Sequence, residues 1–270
     1  MLVPIQTSGK KPPLFFVHGL HGIMWLGATL ARGLGQDQPL YAIHANGVDG
    51  RRPVIDNLED MVRAYVEDIH GARPIGPLRI GGMCQGSVAA IEIARALRDR
   101  GRQVGPVILA DPAVYPSARW RDFIKEDDAI DARDPQIARR LYEQVHNHLL
   151  EHVSQSFNDR PFDPGDPGQL HLATLAGVGS IVAFSRYTPM SFAGPAELVL
   201  SSSGATGFFN PQIPWSKMLT GPRVVVVLPY DHTRLLRAGR EHLARAVKFL
   251  IDEGPELERA AQQQFVPAFA

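Results

Sequence analysis

Leu78-Arg79-Ile80-Gly81-Gly82-Met83-Cys84-Gln85-Gly86-Ser87-Val88-Ala89-Ala90 is an apolar run that turns at glycines around a cysteine and resumes with small residues. The first part reads as a buried strand and the last as the start of a helix. Between them, Gly82-x-Cys84-x-Gly86 is the pattern of a nucleophile elbow, with cysteine where serine is more usual. The flanking glycines let strand and helix approach without Cβ clashes. The thiol would then stand at the C-terminal edge of a sheet, at a helix N-terminus whose partial positive charge favours thiolate. Cys84 is the single cysteine of the chain. The alternative is a buried structural cysteine that happens to lie between glycines, and three further features weigh against it.

The first is His232. Gly221-Pro222-Arg223-Val224-Val225-Val226-Val227-Leu228-Pro229 is β-branched and apolar and reads as a buried strand. Tyr230-Asp231-His232-Thr233 follows, then a helix near 239–252. A histidine on the loop after the last strand is where an elbow fold places its general base, although the chain has ten histidines and a surface role is the alternative. The second is Asp111, at the end of the short strand Val107-Ile108-Leu109-Ala110. It could orient His232 and stabilise its imidazolium, or be an ordinary Asp-Pro turn with Pro112. The acid could also follow the next strand, Glu197-Leu198-Val199-Leu200-Ser201. The residues after it, Ser202-Ser203-Gly204-Ala205-Thr206-Gly207, contain no carboxylate. Asp231 adjoins His232, but neighbours in sequence rarely point at each other, which leaves Asp111.

The third feature is Leu14-Phe15-Phe16-Val17-His18-Gly19-Leu20-His21-Gly22, an apolar strand running into a His-Gly turn. The loop after this strand donates one backbone N–H to the oxyanion hole, and the residue after the nucleophile donates the other. That nominates the Leu20 and Gln85 N–H groups. His18 and His21 have no Cys/Asp/Glu cluster beside them, so no metal site is expected. His18 is read as structural, its ring holding the turn.

At 270 residues with no net charge, the chain suits one α/β domain and gives no argument for nucleic acid or an acidic membrane surface. One cysteine excludes an internal disulfide and fits a reducing compartment. No signal peptide is read in residues 1–13, which carry Pro4, Pro12 and Pro13, and no apolar run approaches membrane-spanning length. A cytoplasmic location is expected. Strands at 14–18, 39–44, 77–82, 105–110, 196–201 and 222–228 alternate with helices near 24–34, 57–71 and 85–100. That rhythm implies a mostly parallel sheet covered on both faces. Residues 112–194 break the rhythm. They contain helical stretches near 118–128, 134–152 and 168–187, and read as a helical lid inserted over the nucleophile. Phe123, Leu141, Leu149, Phe157 and Phe184 could line a channel or simply pack the lid. Arg119, Arg121, Arg133, Arg139 and Arg140 could receive an acidic partner, or form a solvated face.

With Cys84, Asp111 and His232 in this order, the chain resembles the thioesterase domains of nonribosomal peptide and polyketide synthases, of the α/β-hydrolase superfamily. Lys11-Pro12-Pro13-Leu14-Phe15-Phe16-Val17-His18-Gly19 looks like that family's opening. Asn57-Leu58-Glu59-Asp60-Met61-Val62-Arg63-Ala64-Tyr65-Val66 resembles its helix before the elbow, and Asp231-His232 resembles its last block. Asp111 falls at the strand end where the family keeps its acid, and the lid falls where the family has one. The resemblance covers nearly the whole length. It implies an α/β-hydrolase fold over residues 1–270, with a lid at about 112–194, and a Cys-His-Asp triad. It also implies an acyl or peptidyl substrate carried on the phosphopantetheine thioester of a carrier protein, with no tightly bound cofactor. Release would be by cyclisation or hydrolysis. The family usually has serine at the elbow, so Cys84 is a departure. A cysteine exchanges one thioester for another, a nearly thermoneutral step that leaves the acyl group activated, above all toward amines.

The nearest rival is a free-standing acyl or aminoacyl shuttle between carrier proteins. Dienelactone-hydrolase-like enzymes share a cysteine elbow, but their acid follows the later strand and they lack a large lid. Polyester synthases share it too, but are much longer. A non-catalytic binding protein of this fold would not need the three residues together.

Overall fold

The computed structural model describes residues 1–112, 133–153, 162–187, 190–208, 215 and 218–264. Leu14–Val17 (β2), Leu40–Ile43 (β3) and Val107–Ala110 (β5) are buried at every position, as strands with helices on both faces must be. With Leu2–Gln6 (β1), Arg79–Met83 (β4), Ala196–Ser201 (β6) and Arg223–Leu228 (β7) they form one seven-stranded sheet in the order β1-β3-β2-β4-β5-β6-β7. β1 runs antiparallel to β3 and the other pairings are parallel. The expected α/β architecture is therefore present.

The helices are α1 (Gly27–Leu34), α2 (Leu58–Ala72), α3 (Gly86–Asp99), α4 (Pro135–His148), α5 (Pro167–Ser185), α6 (Ser202–Phe208), α7 (His232–Leu236) and α8 (Arg240–Gln264). α2 and α3 cover one face of the sheet through residues such as Met61, Tyr65 and Ile91. α1 and α8 cover the other through Leu30, Leu34, Leu243 and Val247. α2 starts where Asn57 accepts a hydrogen bond from the Asp60 N–H, a side-chain N-cap.

Two strands differ from the reading of the sequence, and both lie at sheet edges. β1 occupies part of the proline-bearing opening, where no strand is expected. Pro4 is tolerated because an edge strand can spare an N–H. β7 reads as a buried strand, but its Arg223 and Val227 are exposed, Val227 by 50%. An unbroken valine run records β-propensity, not whether a neighbour covers both sides.

The inserted segment lies between β5 and β6. Its expected helix near 118–128, with Arg119, Arg121 and Phe123, lies outside the described residues, as does Phe157. Pro135 and Pro167 each open a helix, with Asp134 and Asp166 as N-caps. A π-helical turn, Leu149–Val153, extends α4. α5 corrects the expectation about apolar runs: by length and composition it could cross a membrane. Two-thirds of it is buried within the protein, so it is a core helix. Its glycines bring it onto the loops at the C-terminal edge of the sheet. A Cβ on Gly177 would stand 2.8 Å from the His21 carbonyl oxygen, and one on Gly179 2.8 Å from that of Ile55. Leu141 and Leu149 are buried against this helix, and Phe184 packs on His18, so these three serve packing rather than a channel. Arg139 pairs with Glu143 on its own helix, and Arg140 bonds to the Gln136 carbonyl.

At the opposite edge of the sheet, Arg79 pairs with Glu197 at 3.0 Å, their side chains 11% and 2% exposed. Arg79 also donates to the Ile251 carbonyl of α8. Removing one partner strands a buried charge. Arg79→Met is expected to lower stability by about 3–5 kcal/mol, measured as a fall in the urea midpoint at unchanged slope.

Candidate active site

β4 and β5 end side by side, with Met83 in register with Ala110. The next residues, Cys84 and Asp111, therefore leave adjacent strand ends. Both have positive φ, 53° and 45°, a region that non-glycine residues seldom visit and that costs about 1–3 kcal/mol. The Cys84 N–H donates to the Ala110 carbonyl and the Cys84 carbonyl accepts from Ser87, so the turn is held at both ends. The glycines of the elbow are sterically required. A Cβ on Gly86 would lie 1.9 Å from the His18 carbonyl oxygen, and one on Gly82 2.3 Å from that of Gly86. Only without those carbons can α3 start this close to β2 and β4.

His232 arrives from the far edge. After β7, the Tyr230 carbonyl accepts from both the N–H and the hydroxyl of Ser202. Asp231 then caps α7 by accepting from the Arg234 N–H at 2.8 Å. His232 is thus the first residue of a short helix rather than part of an open loop, and Asp231 serves the helix. The His232 Nδ1 lies 2.6 Å from Asp111 Oδ2. Asp111 is 2% exposed, and its other oxygen accepts from the Ser201 N–H at 2.7 Å. Burial of the His232 ring works against its charged form. Hydrogen bonds to Asp111 and to Cys84, with their negative charges, outweigh that and raise its pKa to about 10. With Nδ1 on Asp111, the Nε2 side remains for Cys84. The structure therefore brings all three sequence-nominated side chains together.

The end of β6, read in sequence for a carboxylate, supplies a socket for one instead. Ser201 gives the N–H, and Gly204 leaves the space: a Cβ there would lie 2.2 Å from Asp111 Oδ1. Sequence reading missed both, although a Ser-Ser-Ser-Gly tract at a strand end is the small-residue signal such a socket needs. Gly204→Ala is expected to push Asp111 off His232 and lower the His232 pKa, followed by NMR titration of the ring, with little change in the circular dichroism spectrum.

The loop after β2 passes beside Cys84, since a Cβ on Gly19 would sit 3.8 Å from Cys84 Cβ. Leu20 lies on this loop and Gln85 at the start of α3. Among the described residues, neither backbone N–H donates to a protein acceptor. His18 braces the loop from below: its ring lies between the Gly19 carbonyl, 2.6 Å from Nδ1, and the Tyr65 hydroxyl, 2.7 Å from Nε2. His44 accepts from the Met24 N–H. His21 stacks on His148 of α4 at 3.6 Å between ring centroids, joining the loop to the inserted segment. Among the described residues, no group of three or more His, Cys, Asp or Glu could hold a metal ion.

Full burial drives the His18 pKa down to about 4 and that of His44 well below its usual value. Both rings are neutral in the folded protein, whereas the unfolded chain binds their protons below about pH 6.5. The contribution of these two rings to stability is therefore complete above pH 6.5 and is lost as pH drops through 4, with His18 alone accounting for roughly 3 kcal/mol. Urea melts at pH 7, 5.5 and 4 should show that slope, and His18→Gln should make it shallower.

A family model for the thioesterase domain matches residues 12–160. The dimodular nonribosomal peptide synthase of Bacillus subtilis (strain 168) is 34% identical over 117 residues, 43% of this chain and 5% of that protein. Malpinin synthetase of Mortierella alpina is 37% identical over 206 residues, 73% of this chain and 2% of that protein. The chain thus spans a small fraction of the curated relatives it matches. Among solved structures, a four-domain nonribosomal peptide synthetase bound to AMP and glycine superposes with a TM-score of 0.69 at 24% identity, over 93% of this chain and 20% of that one. The Vlm2 thioesterase domain bound with a dodecadepsipeptide superposes with a TM-score of 0.68 at 21% identity, over 94% of this chain and 98% of that one. These likenesses establish the α/β-hydrolase fold of thioesterases. With more than half of its residues matched by the family model, the chain belongs to the thioesterase domain family.

Proposed function

We propose that this domain transfers an acyl or peptidyl group from a carrier-protein phosphopantetheine thioester, through a covalent thioester on Cys84, in nonribosomal peptide or polyketide biosynthesis. The observation that carries this is the hydrogen bond from His232 to Asp111 at 2.6 Å, at the strand end next to the one that carries Cys84. A histidine held in this way takes the Cys84 proton, or rests with the cysteine as an ion pair.

In the first half-reaction, the Cys84 thiolate attacks the thioester carbonyl carbon. The Leu20 and Gln85 N–H groups hold the oxyanion that forms. The carbon–sulfur bond to pantetheine breaks, and the leaving thiolate takes its proton from His232 Nε2. Asp111 keeps Nδ1 protonated throughout, so the other nitrogen alone exchanges protons. In the second half-reaction, neutral His232 removes a proton from the incoming nucleophile, which attacks the Cys84 thioester and expels the thiolate. The inserted helices, packed on the loop that carries Leu20, act as the lid that shelters the thioester from water. The protein residues need no tightly bound cofactor for these steps, and a reducing cytoplasm keeps the thiol free.

Cysteine at the elbow also favours a second reading, an acyl shuttle that passes the group to another carrier's thiol. Turnover of an acyl-loaded carrier protein, with water, an amine and a second carrier supplied together, tests both. Product release well above background is expected, and the acceptor that gains the acyl group chooses between them. Release no faster than with free cysteine at equal concentration would overturn the proposal.

A further inference from the structure

Gln85 contributes more than its backbone. It opens α3 but makes no side-chain cap bond there. Its side chain is instead folded back in a site that leaves it 4% exposed, and its carboxamide oxygen accepts a hydrogen bond from the Cys84 thiol. A buried carboxamide is costly unless its polar atoms have partners, and the partner of this one is the reacting atom.

The chemistry of that partner changes through the cycle. A thiol offers a weak proton, whereas a thiolate offers none and takes hydrogen bonds. The sulfur is faced by His232 from α7, backed by Asp111 from the turn after β5. From the β2 side, the His18 ring is committed to Gly19 and Tyr65. His232 can serve one side of a thiolate, and a carboxamide can serve another, because it carries an acceptor and two donors on one plane.

We propose that the Gln85 side chain is a reversible positioning residue for the nucleophile: its oxygen accepts the S–H of the thiol, and its amide, turned over, donates N–H to the thiolate. This inference rests on the reading of Cys84 as the nucleophile. It also explains why an amide suits this position. A carboxylate could accept from the thiol but would repel the thiolate. An apolar side chain could do neither, and would leave the thiolate with His232 as its side-chain partner among the described residues.

The single cysteine makes the test clean, because alkylation by iodoacetamide, read by intact mass, reports on Cys84 alone. Rate against pH is measured for wild type, Gln85→Glu and Gln85→Met. The wild-type midpoint is the reference against which both variants are read. Gln85→Glu should raise that midpoint by at least about one pH unit, a tenfold lower thiolate fraction below it. Gln85→Met should raise it by less. A purely structural role would change melting temperature without moving the midpoint. Coincident midpoints in all three proteins would overturn this inference while leaving the nucleophile in place. Absence of any acyl adduct on Cys84 after exposure to an acyl-pantetheine thioester mimic would overturn the reading of Cys84, and this inference with it. Should the variants fail to fold, the wild type decides by NMR. The Gln85 side-chain amide resonances should titrate with the thiol's own midpoint, and a flat response would overturn the proposal.

Discussion

Asp111→Asn is expected to lower the rate of acyl release by about 10⁴-fold while leaving the fold in place. The reason lies in what each carboxylate oxygen does. One accepts from the Ser201 N–H at 2.7 Å and the other holds His232 Nδ1 at 2.6 Å. Asparagine has one oxygen. If that oxygen stays on Ser201, the NH₂ group faces Nδ1 and forces it to accept. The proton then sits on Nε2, where it blocks removal of a proton from thiol or nucleophile. Turning the amide over would instead set two N–H groups against each other at Ser201, in a site with almost no access to water. The loss is checked by single-turnover release from an acyl-loaded carrier protein.

The same substitution should change how stability depends on pH. His232 titrates near 10 in the folded protein and near 6.5 unfolded. Its contribution is therefore complete below pH 6.5 and disappears as pH rises through 10. Asp111→Asn removes one of the two groups that hold the proton, so the alkaline loss of stability should be smaller in the variant.

Cys84→Ser is expected to change the products as well as the rate. A serine hydroxyl does not ionise beside His232, so one of the groups that raise the imidazole pKa is lost and the ring returns toward neutrality. The acyl-enzyme becomes an oxoester, which amines attack less readily than a thioester. The ratio of amine-captured to hydrolysed product should fall at least about tenfold, a difference of about 1.4 kcal/mol between the two barriers. Exchange onto a second carrier's thiol should fall further, because it becomes uphill. Product analysis with water and an amine in fixed excess measures the ratio. An unchanged ratio at an equal rate would mean that cysteine at the elbow confers no chemical advantage over serine.

Much of this site was legible because its chemistry is written locally. Gly82, Cys84 and Gly86 specify a turn through backbone sterics within five residues, and the strands at 14–17 and 107–110 are short apolar runs with clear ends. Asp111 was found partly by exclusion, since no carboxylate follows β6. What that exclusion hid was the Ser201–Gly204 socket, which is defined by a neighbour across the sheet rather than by its own sequence. The valine run of β7 gave the strand but not its edge position, because strand order depends on which elements cover it. Pro4 concealed β1 for a related reason: proline argues against a strand except at an edge. His232 looked like a loop residue because the helix it opens is five residues long and is held by the Asp231 cap.

Intact mass spectrometry of wild type and Cys84→Ala after brief exposure to an acyl-pantetheine thioester mimic addresses the covalent step itself. If Cys84 is the nucleophile, the wild type gains one acyl adduct, on the peptide that contains Cys84, and the alanine variant gains none. Turnover of the mimic with no adduct on either protein, or equal adducts on both, would contradict a Cys84 acyl-enzyme.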